Sequence, residues 1–250
     1  MYNLIISIVA GVVSFIAFSF LVGRGDFRPL YGLVPGLFIL GGAYFLLARR
    51  TMARVEEIMN RAQESLTKAQ SKNPRGTTPK QLEKSVSEAV KILKEGYQYE
   101  KWQFWIRQQI DGQIGQLLYM AKKYDTAEKY LKNAFQRHWL ARAMLGTLYY
   151  KRKRYEEMEQ VFEEASEVNK KEALFWNVYA YCMWKSNQTE KAIAVLNRAL
   201  EHMEQDEKTK DNLHALQNNK KMKMRGWNMM WYQFHLDQPP QPKQMQFRRR

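Results

Sequence analysis

The chain has 250 residues, enough for one or two domains, and its 40 basic against 25 acidic side chains leave a net charge of +15. Its single cysteine, Cys182, excludes an internal disulfide framework and any cysteine-cluster metal site. Composition is uneven: apolar residues crowd the first fifty positions, mixed charge fills the middle, and eight basic residues face one acidic residue between positions 218 and 250.

From Leu4 to Val22 no residue is charged, and these nineteen residues, at about 1.5 Å each, span roughly 28 Å, close to the hydrocarbon thickness of a bilayer. Thirteen of them are Leu, Ile, Val or Phe; at about 0.3 to 0.6 kcal/mol apiece they favour insertion by roughly 4–8 kcal/mol. No Lys or Arg precedes the run and no A-x-A pattern follows it, which argues against a cleaved signal peptide. A second apolar run, Leu30 to Ala48, follows the connector GRGDFRP and stops at Arg49 and Arg50. Residues 1–50 are therefore expected to form a transmembrane helical hairpin, with helices at 4–22 and 30–48.

The Arg-Gly-Asp of the connector reads as a tight polar turn rather than an adhesion motif. Small residues four apart, Ser7 and Gly11 in one run and Gly32 and Gly36 in the other, would let the two backbones approach closely. Pro35 falls near the start of the second helix, where a missing donor costs least. Two basic residues (Arg24, Arg28) lie in the connector and four (Arg49, Arg50, Arg54, Arg61) follow the second helix, so the positive-inside rule places both termini in the cytoplasm.

Beyond Arg50, apolar residues recur at Met52, Val55, Met59, Ala62, Leu66 and Ala69, one face of a helix, and predict a stalk over 51–72 that packs against the chain's own body. A linker at 73–79 breaks it, and Thr78 and Pro79 supply an N-cap and a first helical residue for a new element. From Lys80 to Gln238 there is no proline, and 80–219 reads as helix after helix.

Within that region one pattern is written three times. Gly115, Tyr124, Ala127, Leu131 and Ala134 align with Gly146, Tyr155, Met158, Phe162 and Ala165 at an offset of 31, and a further 34 residues on stand Ala180, Thr189, Ala192, Leu196 and Ala199. Small residues suit close helix crossings, and the bulky residue fills the space between neighbouring pairs. The spacing resembles the tetratricopeptide repeat, whose period is about 34 residues. The resemblance covers roughly 109–200, with 85–96 as a degenerate half-repeat and 208–219 similar to a terminal capping helix. Asp111 and Met158 depart from the family pattern, no copy has the usual closing proline, and the shorter first period implies a short turn at 137–139.

The resemblance implies an all-α fold, a two-helix transmembrane hairpin followed by an α-solenoid, whose first helices line a concave, partner-binding surface. Carried over residue by residue, that surface comprises Gln116, Tyr119 and Met120, then Thr147, Tyr150 and Lys151, then Asn177, Tyr181, Trp184 and Lys185. It is aromatic and mildly basic, suited to a peptide segment or helix of a membrane-associated protein. The Lys/Asn pattern with which some family members clamp a C-terminal carboxylate is incomplete.

Nothing points to catalysis, a cofactor or a metal: the four histidines (His138, His202, His214, His235) are scattered, and no phosphate-cradling loop or nucleophile elbow occurs. Cys182 reads as a buried, inert thiol. The KRKR run at 151–154 reads as a solvated turn at a helix C-terminus. The tail, 220–250, interleaves basic and aromatic residues; Lys220, Lys221, Lys223, Arg225, Arg248, Arg249 and Arg250 are candidates for contact with lipid or nucleic acid, while 222–236 is expected to fold back onto the final repeats. The reading is an integral membrane scaffold or adaptor whose repeats face the cytoplasm and bind a protein partner, without enzymatic activity. The alternative is a membrane tether for nucleic acid or ribosomes through the basic tail.

Overall fold

The computed structural model describes residues 1–22, 24, 26–71 and 79–239. Thr78 and most of the expected linker, two connector glycines, and Arg248, Arg249 and Arg250 lie outside the described residues. The chain is all-α, with no strand among the described residues, and divides into two compact units, 1–117 and 118–250.

The first unit begins with the antiparallel helices α1 (Tyr2–Val22) and α2 (Pro29–Ser71). Both are long and apolar enough to cross a membrane. Their packing is inside out: α1 buries Asn3, Ser7, Gly11, Ser14 and Ser19 against α2, while Ile5, Val9, Val13, Ile16 and Phe20 are exposed. Small residues fill the seam because nothing larger fits. A Cβ on Gly32 would lie 2.1 Å from the Phe15 carbonyl oxygen, and one on Gly11 would lie 2.8 Å from Leu40 Cβ. Ser7 and Ser19 return their hydroxyl protons to the carbonyls of Asn3 and Phe15 one turn back, so neither carries an unsatisfied donor into the seam.

Helix α2 is continuous from the apolar run into the polar segment. Its polar half packs on α3 (Pro79–Glu95); Val55, Ile58 and Ala62 are buried on α2 and Val86, Ala89 and Leu93 on α3, while Thr51, also buried, meets Asn3 of α1. Met52 and Met59, expected on the seam, lie beside it half-exposed; Ile58, the bulkier β-branched residue one position away, occupies the contact instead. A 3₁₀ turn (Gly96–Tyr99) leads through 100–105 into α4 (Ile106–Met120). Asp111, the departure from the repeat pattern, is buried and accepts the Tyr97 hydroxyl, with Arg107 Nε 3.8 Å away.

The second unit continues with α5 (Tyr124–Lys132), α6 (Trp139–Lys151), α7 (Tyr155–Ser166), α8 (Ala173–Lys185), α9 (Thr189–His202) and α10 (Glu207–Gln217), followed by a 3₁₀ turn (Met224–Trp227) and a short α11 (Met229–Tyr232). Helices α6 and α7 pack as a pair, as do α8 and α9, while α6 also packs on α8, so the first helix of each pair forms the inner layer. Every small, bulky and small position of the repeat pattern is buried: Ala127, Leu131 and Ala134; Met158, Phe162 and Ala165; Ala192, Leu196 and Ala199.

The turns between paired helices are three copies of one device. Lys122, Lys153 and Asn187 adopt left-handed conformations with φ of 60°, 58° and 62°, at the offsets of 31 and 34 that separate the repeats. In each, the left-handed residue donates to the carbonyl three back (Tyr119, Tyr150, Trp184) and the next residue donates to the carbonyl five back (Leu118, Tyr149, Met183), a Schellman closure. The short first period does not come from the turn at 137–139. The connections 133–138 and 167–172 are equally long; α5 has 9 residues where α7 has 12.

Candidate functional site: the inner face of the repeats

The inner face of the second unit is covered by the chain's own tail. Tyr119 at the end of α4 and Thr147 on α6 are both fully buried, and the Tyr119 hydroxyl donates to the carbonyl of Phe234 at 2.7 Å. Thr147 Oγ1 stands 3.0 Å from the same hydroxyl. His235 stacks on the Tyr119 ring with centroids 5.6 Å apart and an interplanar angle of 6°, and its Nδ1 is 3.1 Å from the Tyr124 hydroxyl. Trp231 and Phe234 are fully buried, and Trp231 meets Tyr181 of α8 edge to face at 4.8 Å.

A second polar cluster holds the start of the tail. Asn177 on α8 is fully buried; its Nδ2 donates to Thr209 Oγ1 (2.7 Å), and its Oδ1 accepts from Asn212 Nδ2 (2.8 Å). Asn212 Oδ1 in turn accepts the backbone N–H of Lys223 at 2.6 Å. Thr209 is itself fixed by Asp206, the N-cap of α10, which accepts its backbone N–H at 2.8 Å. A buried amide with both ends engaged rewards one backbone path and penalises others, so this cluster sets where the tail enters the inner face.

Electrostatics follow from the covering. Lys151, half-buried, lies over the rings of Tyr119 and Tyr124 at 5.2 and 5.0 Å, and burial together with Lys122 brings its ammonium down to about 8. Burial, then Lys151 and Lys122, pushes His235 down to about 4, so its imidazole is neutral near pH 7. Burial raises the Cys182 thiol well above its ordinary value, which leaves it protonated and unreactive.

The KRKR run is more structured than a solvated turn. Arg152 pairs with Glu128 and Asp125 of α5, and Arg154 pairs with Glu128 and Glu157 and lies 4.4 Å over the Tyr149 ring. Burial works against the Glu128 charge, but Lys132 and Arg154 outweigh it and hold the carboxylate below its ordinary range. Only Lys153 is fully exposed, at the left-handed position.

The structure therefore sorts the expected inner-face residues into two sets. Tyr119 and Thr147 are covered by the tail and Asn177 by α10, whereas Met120 and Lys185 are exposed and Tyr150, Lys151, Tyr181 and Trp184 half-exposed. Gln116 belongs to the first unit, half-buried on α4. The tail also brings its own cations to the margin. Lys221, Lys223 and Arg225 line a depression of about 450 Å³ with Tyr181, Trp184 and Lys185, where Lys185 sits 4.4 Å over the Trp184 ring. Lys220 is exposed and outside this depression. A larger, open depression of about 1240 Å³ on the other side of Arg225 is walled by Met120, Lys122, Met229, Met230 and His235. The repeat pattern does not predict these methionine walls; the adjacent Met229 and Met230 are their one mark in the sequence.

Residues 118–180 match the family model described as tetratricopeptide repeat, from the end of α4 through α5, the α6–α7 pair and the first half of α8. The matched segment is a tetratricopeptide repeat region. Tetratricopeptide repeats act as protein–protein interaction scaffolds; the inner face here presents aromatic and cationic side chains. No curated protein and no solved structure matches the chain.

Proposed function

We propose that the chain is a membrane-anchored scaffold in which α1 and the apolar half of α2 span a bilayer, the polar half of α2 is a stalk, and the repeats bind a protein partner on the cytoplasmic side. The inside-out hairpin supports anchoring, because exposed Ile, Val and Phe around a seam of Ser and Gly is the arrangement hydrocarbon stabilises and water does not. The four arginines that follow the apolar run, against two in the connector, support the orientation.

The partner reading is carried by one observation: Lys185, Lys221, Lys223 and Arg225 converge on the aromatic surface of Tyr181 and Trp184, with Asp237 the one acidic residue lining that depression among the described residues. Such a margin suits an acidic segment, peptide or helix, that lays an apolar residue on Trp184 and its carboxylates among the cations. The covered inner face accepts aromatic anchors already, since Trp231 and Phe234 fill it.

The test is photocrosslinking from Trp184 and Tyr150 in intact membranes, with Lys185→Glu/Lys221→Glu alongside. A protein captured by the wild type and lost on charge reversal is expected. Recovery of lipid or nucleic acid alone, or capture indifferent to charge reversal, would overturn the partner reading. Protease protection of the repeats in sealed inside-out vesicles would overturn the orientation.

A further inference from the structure

Within the first unit, residues 101–103 close over the end of the hairpin at which α1 begins. The backbone N–H groups of Tyr2 and Asn3 donate to the carbonyls of Lys101 and Trp102 at 2.9 and 3.2 Å, and the rings of Tyr2 and Trp102 meet edge to face at 5.4 Å. Beside this junction lies a pocket of about 390 Å³, lined by Asn3, Leu47, Arg50, Arg54, Tyr99 and Trp102.

Three features define the chemistry of its occupant. Arg50 and Arg54 stand one helical turn apart on α2, both exposed and neither in an ion pair among the described residues, so two like charges face the same opening and an anion between them removes their repulsion. Asn3 is fully buried at the pocket, and its amide orientation is fixed. Thr51 spends its own proton on the Leu47 carbonyl and so accepts from Asn3 Nδ2 at 3.0 Å, and Gln103, whose Nε2 donates to the Tyr44 hydroxyl, accepts from the same Nδ2 through Oε1 at 3.2 Å. Asn3 Oδ1 is left as a buried acceptor with no donor among the described residues, a costly state that a ligand donor relieves. Finally, Leu47 lies in the last turn of the apolar run, and Trp102, Phe104 and Trp105 are exposed close together in sequence, an aromatic group of the kind that settles at the headgroup level of a bilayer.

We propose that this pocket binds the headgroup of a phospholipid whose phosphate lies between Arg50 and Arg54 and whose terminal ammonium or hydroxyl donates to Asn3 Oδ1. The acyl chains then run along the apolar outer face of the hairpin. The assignment rests on the membrane-anchored reading and goes beyond it in selecting headgroups: phosphatidylethanolamine and phosphatidylglycerol carry the required donor, and the quaternary ammonium of phosphatidylcholine does not.

The full chain in neutral detergent, wild type and Arg50→Gln/Arg54→Gln, is titrated with dioctanoyl phosphatidylethanolamine, phosphatidylglycerol and phosphatidylcholine and with glycerol 1-phosphate, with binding read by native mass spectrometry. Phosphatidylethanolamine should bind the wild type roughly tenfold more tightly than phosphatidylcholine, and the double variant should bind both lipids roughly tenfold more weakly. Equal binding of the two lipids, or equal binding by wild type and variant, overturns the proposal. Glycerol 1-phosphate binding as tightly as the lipids reassigns the pocket to a soluble phosphate ester and overturns the lipid assignment. Both proteins are also floated with phosphatidylcholine vesicles after an alkaline wash. Flotation of both with no headgroup preference sinks the pocket alone, while a wild type that stays behind sinks the membrane reading and the lipid assignment with it.

Discussion

Tyr119 and Phe234, 115 positions apart, are joined by a hydrogen bond of 2.7 Å from the tyrosine hydroxyl to the main-chain carbonyl, inside a surface from which both side chains are excluded from water. The bond closes the tail over the inner face at the position where a peptide partner of such repeats would lie. In the proposed reading, a partner binds at the margin, where the tail and α8 share the cations, unless the tail leaves.

Trp231 separates packing from hydrogen bonding in the docked tail. Its ring is fully buried against Tyr181, but its Nε1–H has no acceptor among the described residues. Trp231→Ala should cost the docked state about 3–5 kcal/mol and open Lys223 and Arg225 to trypsin, whereas Trp231→Phe should leave cleavage near the wild-type rate. Equal protection in all three proteins would show that the tail is held elsewhere.

Tail docking should weaken on acidification. Burial, Lys151 and Lys122 hold His235 at about 4 when docked, below its ordinary 6.5, so the undocked state binds more protons between those values. Docking is therefore full above about 6.5 and is lost as pH falls toward 4. Hydrogen exchange of 222–236 at pH 7 and pH 5 measures this, and His235→Asn, uncharged and tolerant of φ near 50°, should remove the pH dependence.

The left-handed turn residues make a stability prediction of defined sign. Lys153 is exposed and has φ of 58°, which costs an L side chain about 1–2 kcal/mol, while glycine there forfeits about 0.4–1 kcal/mol through the unfolded chain. Lys153→Gly should thus be neutral to mildly stabilising and Lys153→Ile clearly destabilising, read as a rise and a fall in Tm. The reverse order would refute the Schellman geometry.

Gly146 should be irreplaceable next to Phe162. A Cβ there would lie 2.3 Å from the Phe162 ring, which cannot retreat because it stacks on Tyr179 at 4.7 Å. Gly146→Ala should cost about 1–3 kcal/mol, and adding Phe162→Leu should recover part of it. Additive losses in the double variant would mean that the two residues do not compete for space.

The repeats were legible because their packing positions are chemical: Ala127, Leu131 and Ala134 and their counterparts must be small or bulky for helices to cross, and composition records that. The shortness of α5 left no such mark, since it ends at Lys132 before Asn133 without a glycine or proline. The turns were hidden for the same reason, with Lys122 and Lys153 standing where glycine would have advertised the left-handed step. Resemblance put Tyr119, Thr147 and Asn177 on one face, but their covering depends on contacts more than thirty residues away, which no local pattern encodes. Residues 97–105 carry no helical period, and their anchoring of Asn3 through Gln103, one hundred positions apart, belongs to the tertiary fold alone.

The continuity of α2 turns it into a lever. It has no break between Leu47 and Ser71, so any tilt of its apolar half is imposed on the polar half. In a bilayer thinner than the apolar stretch, a lean of about 20° would carry the far end of the roughly 30 Å polar arm sideways by about 10 Å. Membrane thickness would then steer, mechanically, where the water-side end of that arm points.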